Sequence, residues 1–199
     1  MTQDPDAALM LAFQRGDQAA FRALYERHAS AMVGYCHRFV KDGPRAEELA
    51  QDVFVKVYRA AHRYSPRARF KTFLYRVATN HCLNELRRGE YAVRAATPGA
   101  PGGDGAPDLD ALPAHQPSPH QDLEAGRLAA AVEVLLDRLP EKQRAALVLC
   151  RFEGMSYEEI AETLETSVSA VKSLVHRATV AAAAALAPFQ PAAPREVEP

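Results

Sequence analysis

The sequence has no tryptophan, only three cysteines, and no segment of sustained strand-like alternation between apolar and polar residues. Each absence excludes something. Cys36, Cys82 and Cys150 are too few and too scattered for a disulfide framework. Cys36-His37 and His81-Cys82 are adjacent pairs, not a zinc-ligand spacing such as Cys-x-x-Cys, so no metal and no cofactor is expected. On helices, Cys36 and Cys82 fit as small buried apolar residues. No phosphate loop, nucleophile–base signature or paired-carboxylate site stands out, which argues against an enzyme. No run approaches the ~20 apolar residues needed to span a bilayer. No basic start followed by an apolar run opens the chain, so no secretory signal is expected and a reduced cytoplasmic compartment is the default. A basic excess is missing too: 24 Lys+Arg face 25 Asp+Glu, a formal net charge of -1. As a total, that figure weighs against a nucleic-acid binder.

What is present is enough apolar material for a core, 48% of 199 residues, with plentiful alanine that leans helical. One segment differs. Between Arg94 and Asp122 stand six Pro and four Gly, with Leu109 and Leu112 the only large apolar residues. Such a composition cannot bury enough surface to offset ordering entropy, so it reads as a flexible linker. The tail after Ala187 repeats the pattern with Pro188, Pro191, Pro194 and Pro199. The expected organisation is a first domain over 1–93, a linker over 94–122, a second domain over 123–187 and a disordered tail over 188–199.

Both domains read as all-α. In the first, Phe21, Leu24, Tyr25 and His28 recur at helical steps, and Val33, Cys36, His37 and Val40 continue after a break near Ser30. Asp42-Gly43-Pro44 punctuates, and Pro44 suits a first helical turn. Ala46, Leu49, Val53, Val57 and Ala60 make one stripe; beyond Ser65-Pro66, Phe70, Phe73, Leu74, Val77, His81 and Leu86 outline another helix. In the second domain, Leu128 to Leu139 stop at Pro140, and Ala145, Leu149 and Phe152 carry a helix ending at Gly154. Ser156-Tyr157-Glu158-Glu159 is a capping box, and Ser167 can cap a last helix with Val168, Val171, Val175 and Ala178 inward.

That last pair of helices has the layout of a helix-turn-helix. Small Ala161 lets the second helix cross closely over the first, and Val171 fills the angle between them. The face with Ser169, Lys172, Ser173, His176 and Arg177 would then enter a major groove. A helical hairpin in a bundle is the plainer alternative. In the first domain, residues 53–93 hold nine Lys/Arg and two acids, a local net of +7, interleaved with Tyr58, Tyr64, Phe70, Phe73 and Tyr75. Cations track phosphates and exposed aromatics stack on bases, which suits opened nucleic acid. Phe54, Phe70 and Phe73 read as core, while Tyr64 and Tyr75 fit either role. Just upstream the sign reverses: Glu47, Glu48 and Asp52 cluster on the helix opened by Pro44, which suggests a protein partner for that face.

The stretch from Arg45 to Arg88, with AEELAQDVFVKVYRAAHRYSPRARFKTFLYRVATNHCLNELRR inside it, resembles region 2 of the sigma-70 family, in its extracytoplasmic-function (ECF) group. The stretch Leu139 to Ala178, with PEKQRAALVLCRFEGMSYEEIAETLETSVSAVKSLVHRA inside it, resembles region 4 of the same group. The resemblance implies two small helical domains and a polymerase subunit without catalysis of its own. Its partners would be core RNA polymerase (β′ clamp and β flap), promoter DNA and an anti-sigma factor. It implies polymerase contact at Glu48, Leu49, Gln51, Asp52 and Phe54. It implies that Asn80, Asn84, Arg87 and Arg88, with the loop of Tyr64, Arg67 and Lys71, read the opened −10 element. It assigns the −35 duplex to Ser169, Lys172, Ser173, His176 and Arg177. The flap contact would use the edge from Leu147 to Phe152.

Departures from the family pattern stand at Glu165, where Gly is common in the turn, and at Leu174 and Thr179, where Arg is common. They lead to an expectation of weak or unusual −35 recognition. Phe73 replaces a common Trp, a conservative core change. The alternative class is a helix-turn-helix regulator acting as a dimer without polymerase. A pure interaction adaptor would leave the +7 segment unexplained. The neutral total is thus a sum of opposed parts: six bases and eight acids over 1–52, +7 over 53–93, nine bases and fifteen acids over 94–199.

Overall fold

The computed structural model of the chain describes residues 4–96 and 121–189. Most of the expected linker and nearly all of the expected tail lie outside the described residues. Eight α-helices make up the described part: α1 (Pro5–Gln14), α2 (Gln18–Val40), α3 (Gly43–Ala60), α4 (Phe70–Ala96), α5 (Gln121–Arg138), α6 (Glu141–Arg151), α7 (Tyr157–Thr163) and α8 (Val168–Leu186). Short 3-10 turns cover Ala61–Arg63 and Ala187–Phe189, and no strand occurs among the described residues.

Local chemistry sets most helix ends. Asp17 caps α2 by accepting from the amides of Ala19 and Ala20, and Asp42 caps α3 through the amide of Arg45, with Pro44 in the first turn. Lys41 stops α2 in the left-handed region at φ 56. Ser156 and Glu159 form the full capping box of α7, and Ser167 caps α8 through the amide of Ala170. These side-chain oxygens satisfy donors that a helix start leaves orphaned.

Two points differ from the sequence expectation. Helix α2 runs unbroken through Ser30, because Leu24, Met32, Tyr35, Cys36 and Phe39 bury one continuous face and Ser30 merely points to solvent. Helix α1 was not anticipated. It adds Ala7, Met10 and Phe13 to the core. Its cap, Asp4, serves two helices: one carboxylate oxygen accepts from Asp6 N at 3.0 Å and the other from Phe70 N, in the first turn of α4, at 2.6 Å.

The first four helices surround Leu24, Met32, Tyr35, Leu49, Val53, Val57, Phe70 and Leu74, all at most marginally exposed. Tyr35 and Thr79 bridge at 2.7 Å, and Thr79 donates onward to the Tyr75 carbonyl at 2.6 Å, so Tyr35 is the donor to Thr79. Cys36 and Cys82 meet with sulfurs 3.7 Å apart. The last four helices bury Leu135, Leu139, Val148, Leu149, Ile160, Val171, Val175 and Ala178. The two groups also touch, α4 against α7 and α2 against α5.

Candidate nucleic-acid and partner interfaces

Helix α3 separates its chemistry by period. Ala46, Leu49, Ala50, Val53, Phe54 and Val57 face the core, which leaves Glu47, Glu48, Gln51 and Asp52 on the exposed side. Glu48 is held by Arg45 at 2.6 Å, and Arg45 also grips Glu85 of α4. Asp52 accepts from or pairs with Nε2 of His81 at 3.2 Å. Burial pushes the His81 imidazole below its usual range, helped by nearby Lys56 and opposed by Asp52. Leu49 is fully buried, so its side chain offers no surface; it anchors the helix that carries the acids. Phe54 is 4% exposed, and its ring packs edge-on to Tyr25 with centroids 4.8 Å apart.

Beside these acids lies an apolar hollow lined by Phe21, Tyr25, Gln51, Phe54, Val55 and Tyr58. Tyr25, Val55 and Tyr58 are 42%, 45% and 47% exposed. Tyr25 and Val55 were missed as surface candidates by the sequence reading. Their signal was present: Val55 stands one position off the buried stripe of α3, and Tyr25 lies one position past buried Leu24.

On α4, Asn80, Asn84, Arg87 and Arg88 are exposed and follow one another at helical spacing along one side. Arg87 pairs with Glu141 at 3.2 Å, and Arg88 stands 4.0 Å from Glu85. The loop residues divide. Arg67 is exposed and Lys71 half-buried. Tyr64 is 7% exposed, with its ring against Phe70 and Phe73, and its carbonyl takes the Gln14 amide at 2.8 Å. Burial first, then Asp4 and Asp6, push its hydroxyl up to about 12. Tyr75 is also buried, and its hydroxyl donates to Glu153. Neither tyrosine presents a free ring face, because both fill gaps between helices. Arg76 lies against Phe73, 5.9 Å from the ring centroid, on the same helix.

On α8, Ser169, Lys172, Ser173, His176 and Arg177 are all exposed, while Val171, Val175 and Ala178 face inward. The Ser167 cap starts α8, and burial of its Val171, Val175 and Ala178 side against the other helices leaves that face outward. Glu165, in the turn before it, has φ 50. This is the left-handed region that glycine adopts without penalty and a side-chain-bearing residue does not. On α6, Leu147, Val148 and Leu149 are buried, and Phe152 just beyond it is 45% exposed with the Arg38 guanidinium 4.1 Å over its ring.

Comparison with known proteins covers both helix groups. Residues 24–90 match the family model described as sigma-70 region 2, and residues 129–180 match that of sigma-70 region 4. The RNA polymerase sigma-H factor of Pseudomonas aeruginosa is 35% identical over 195 residues, covering 95% of this chain and 97% of that protein. The ECF RNA polymerase sigma factor SigE of Mycolicibacterium smegmatis is 37% identical over 165 residues; the match covers 81% of this chain and 61% of that longer relative. Among solved structures, CnrH in complex with the cytosolic domain of CnrY aligns at TM-score 0.69 and 25% identity, over 94% of this chain and all of that one. The sigma factor RpoE of Bartonella quintana, in complex with the anti-sigma factor NepR, shares the fold at TM-score 0.62 and 20% identity, over 85% of this chain and 98% of that one.

Proposed function

We infer the working parts of this chain from one premise: it belongs to the sigma-70 family of RNA polymerase sigma factors, in the extracytoplasmic-function group. It directs transcription initiation by binding core polymerase and recognising a two-part promoter. The domains over 1–93 and 123–187 act on the two promoter elements, and the linker over 94–122 sets their reach. The chain performs no catalysis itself and works in the cytoplasm, where polymerase is.

The reading rests chiefly on one observation. The two helix groups that match the family models in chain order each carry their own exposed polar, cation-bearing face, on α4 and on α8. A dimeric regulator acting without polymerase leaves the first group without a task. Asn80 and Asn84 can both donate to and accept from a base edge, and Arg87 and Arg88 hold adjacent phosphates, with Arg67 and Lys71 on the approach. A base leaves the stack only if stacking and edge bonds compensate a few kcal/mol of unstacking. The amides supply the edge bonds. Lys172, Ser173, His176 and Arg177, with Ser169 at the helix start, meet the −35 duplex in its major groove.

Glu48, Gln51 and Asp52 with the hollow floored by Phe54 form the surface for the β′ clamp. Acids there steer a basic partner, and exposed Tyr25 and Val55 supply apolar contact. Phe152 is the exposed apolar group left for the β flap. An anti-sigma factor, the kind of partner seen with the Bartonella relative, would compete for these surfaces. Leu174 and Thr179 leave the α8 face with few cations, so −35 recognition stays weak and depends on the holoenzyme. Run-off transcription with purified core polymerase on a genomic library tests the reading. Initiation at a shared two-part motif is expected; no initiation by a folded protein refutes it.

A further inference from the structure

Helix α1 bonds to both ends of the loop that joins α3 to α4. At one end Gln14, its last residue, donates from Nε2 to the Ala61 carbonyl at 2.5 Å and to the Tyr64 carbonyl at 2.8 Å. Two carbonyl acceptors demand the NH2 side of the amide, so the partners fix its orientation. At the other end Asp4, the cap of α1, accepts from Phe70 N, at the start of α4, at 2.6 Å. The start of α1 is itself held on α2, where Asp6 pairs with Arg27 and with Nε2 of His28 at 2.8 Å.

Between these ties the loop has little support of its own. Tyr64 N donates to Ala61 O at 3.0 Å and Arg67 N to Ser65 O at 2.8 Å, both short-range bonds. The buried Tyr64 hydroxyl meets no hydrogen-bond partner among the described residues, so packing alone holds that ring. Ser65, Pro66, Arg67 and Arg69 are exposed. The Arg69 pair with Glu159, at 3.5 Å, is largely exposed on the arginine side and correspondingly weak.

This loop is the one assigned above to the −10 element. We propose that α1 is a strut for −10 reading, with Gln14 as a positioning residue that acts through the Ala61 and Tyr64 carbonyls and touches no DNA. The inference rests on the sigma-factor reading of the loop. Recognition of a base edge requires groups held to within about 0.5 Å. A loop tied at both ends to a helix meets that demand before the strand arrives, and so avoids an ordering cost on binding. Without Gln14 the loop still closes, but its register against the α4 stripe is no longer set.

The test uses holoenzyme assembled from core polymerase and the full chain. Its probes are promoter fragments recovered by run-off on the genomic library, intact or with single-base substitutions in either element. Gln14→Ala is expected to lower discrimination against −10 substitutions by about 5-fold, with −35 discrimination unchanged. Gln14→Glu sets a carboxylate against the two carbonyls, so the loss at neutral pH is at least as large. Only the protonated acid can donate, so its −10 discrimination relative to wild type should recover as pH falls from about 8 to about 6. A merely structural role predicts no such recovery. Wild-type −10 discrimination in Gln14→Ala, equal losses at both elements, or a pH-independent defect in Gln14→Glu overturns the strut. Failure of the sigma reading is distinct: then wild type itself initiates nowhere.

Discussion

The α4 and α8 faces carry similar residues, yet the molecule treats them differently. On α4 the polar stripe is braced by acids: Glu85 beside Arg88, Glu141 across from Arg87. On α8, among the described residues, the stripe's one side-chain bond is that of Ser173 back to the Ser169 carbonyl of its own helix at 3.1 Å. The comparison separates a polar stripe held by neighbouring acids from one that is exposed along its length.

Breaking one core tests how separate the two halves are. Leu149→Ala removes a fully buried side chain from the second group and should cost about 2–5 kcal/mol in that group. Urea unfolding should then split into two transitions, the later one unchanged; a single shifted transition would mean that the halves fold as one unit. Arg177→Ala tests the open face directly. It should weaken −35-dependent binding of the holoenzyme by about 1–3 kcal/mol and relax preference at one position, read by competition with base-substituted promoters. Substituting Arg88 instead should weaken binding evenly across sequences and flatten its salt dependence.

A smaller effect belongs to the first group. Asp4→Ala removes the cap of α1 and the acceptor for the first turn of α4 together, so about 2 kcal/mol is expected, roughly twice a single cap. Thermal unfolding with an Asp4→Asn control checks it. The smallest expected change is a gain: Glu165→Gly relieves the left-handed turn and should stabilise the second group by about 1 kcal/mol. No gain in its melting temperature would mean that the glutamate's own contacts already compensate the strain.

Most of the local grammar was legible in the chain. Asp42-Gly43-Pro44, Ser65-Pro66, the Ser156–Glu159 box and Ser167 all act where their chemistry says they should. The failures have physical causes. Ser30 reads as a stop only when its exposed position is weighed above the buried residues on both sides of it. Helix α1 was overlooked although its signal is local: Asp4 caps it, Pro5 stands at its first position, and Ala7, Met10 and Phe13 recur at helical steps. Tyr64 and Tyr75 could stack on a base or fill a core, and only the packing of α1 and α4 and the approach of Glu153 decide. Contact between the two halves joins ion pairs, bonds to main-chain carbonyls and the Arg38–Phe152 stacking, residues far apart in the chain and without periodicity, so the sequence pattern does not announce it.

The meeting of Cys36 and Cys82 has a practical use. Both thiols are fully buried, and the Cys82 thiol is pushed up by its hydrogen bond to Cys36 and by burial, whereas Cys150 is partly accessible. A thiol reagent added to the folded protein therefore meets one prompt reaction and two delayed ones. The delayed pair keeps time for the opening of α2 from α4, giving the first domain a built-in clock that needs no label.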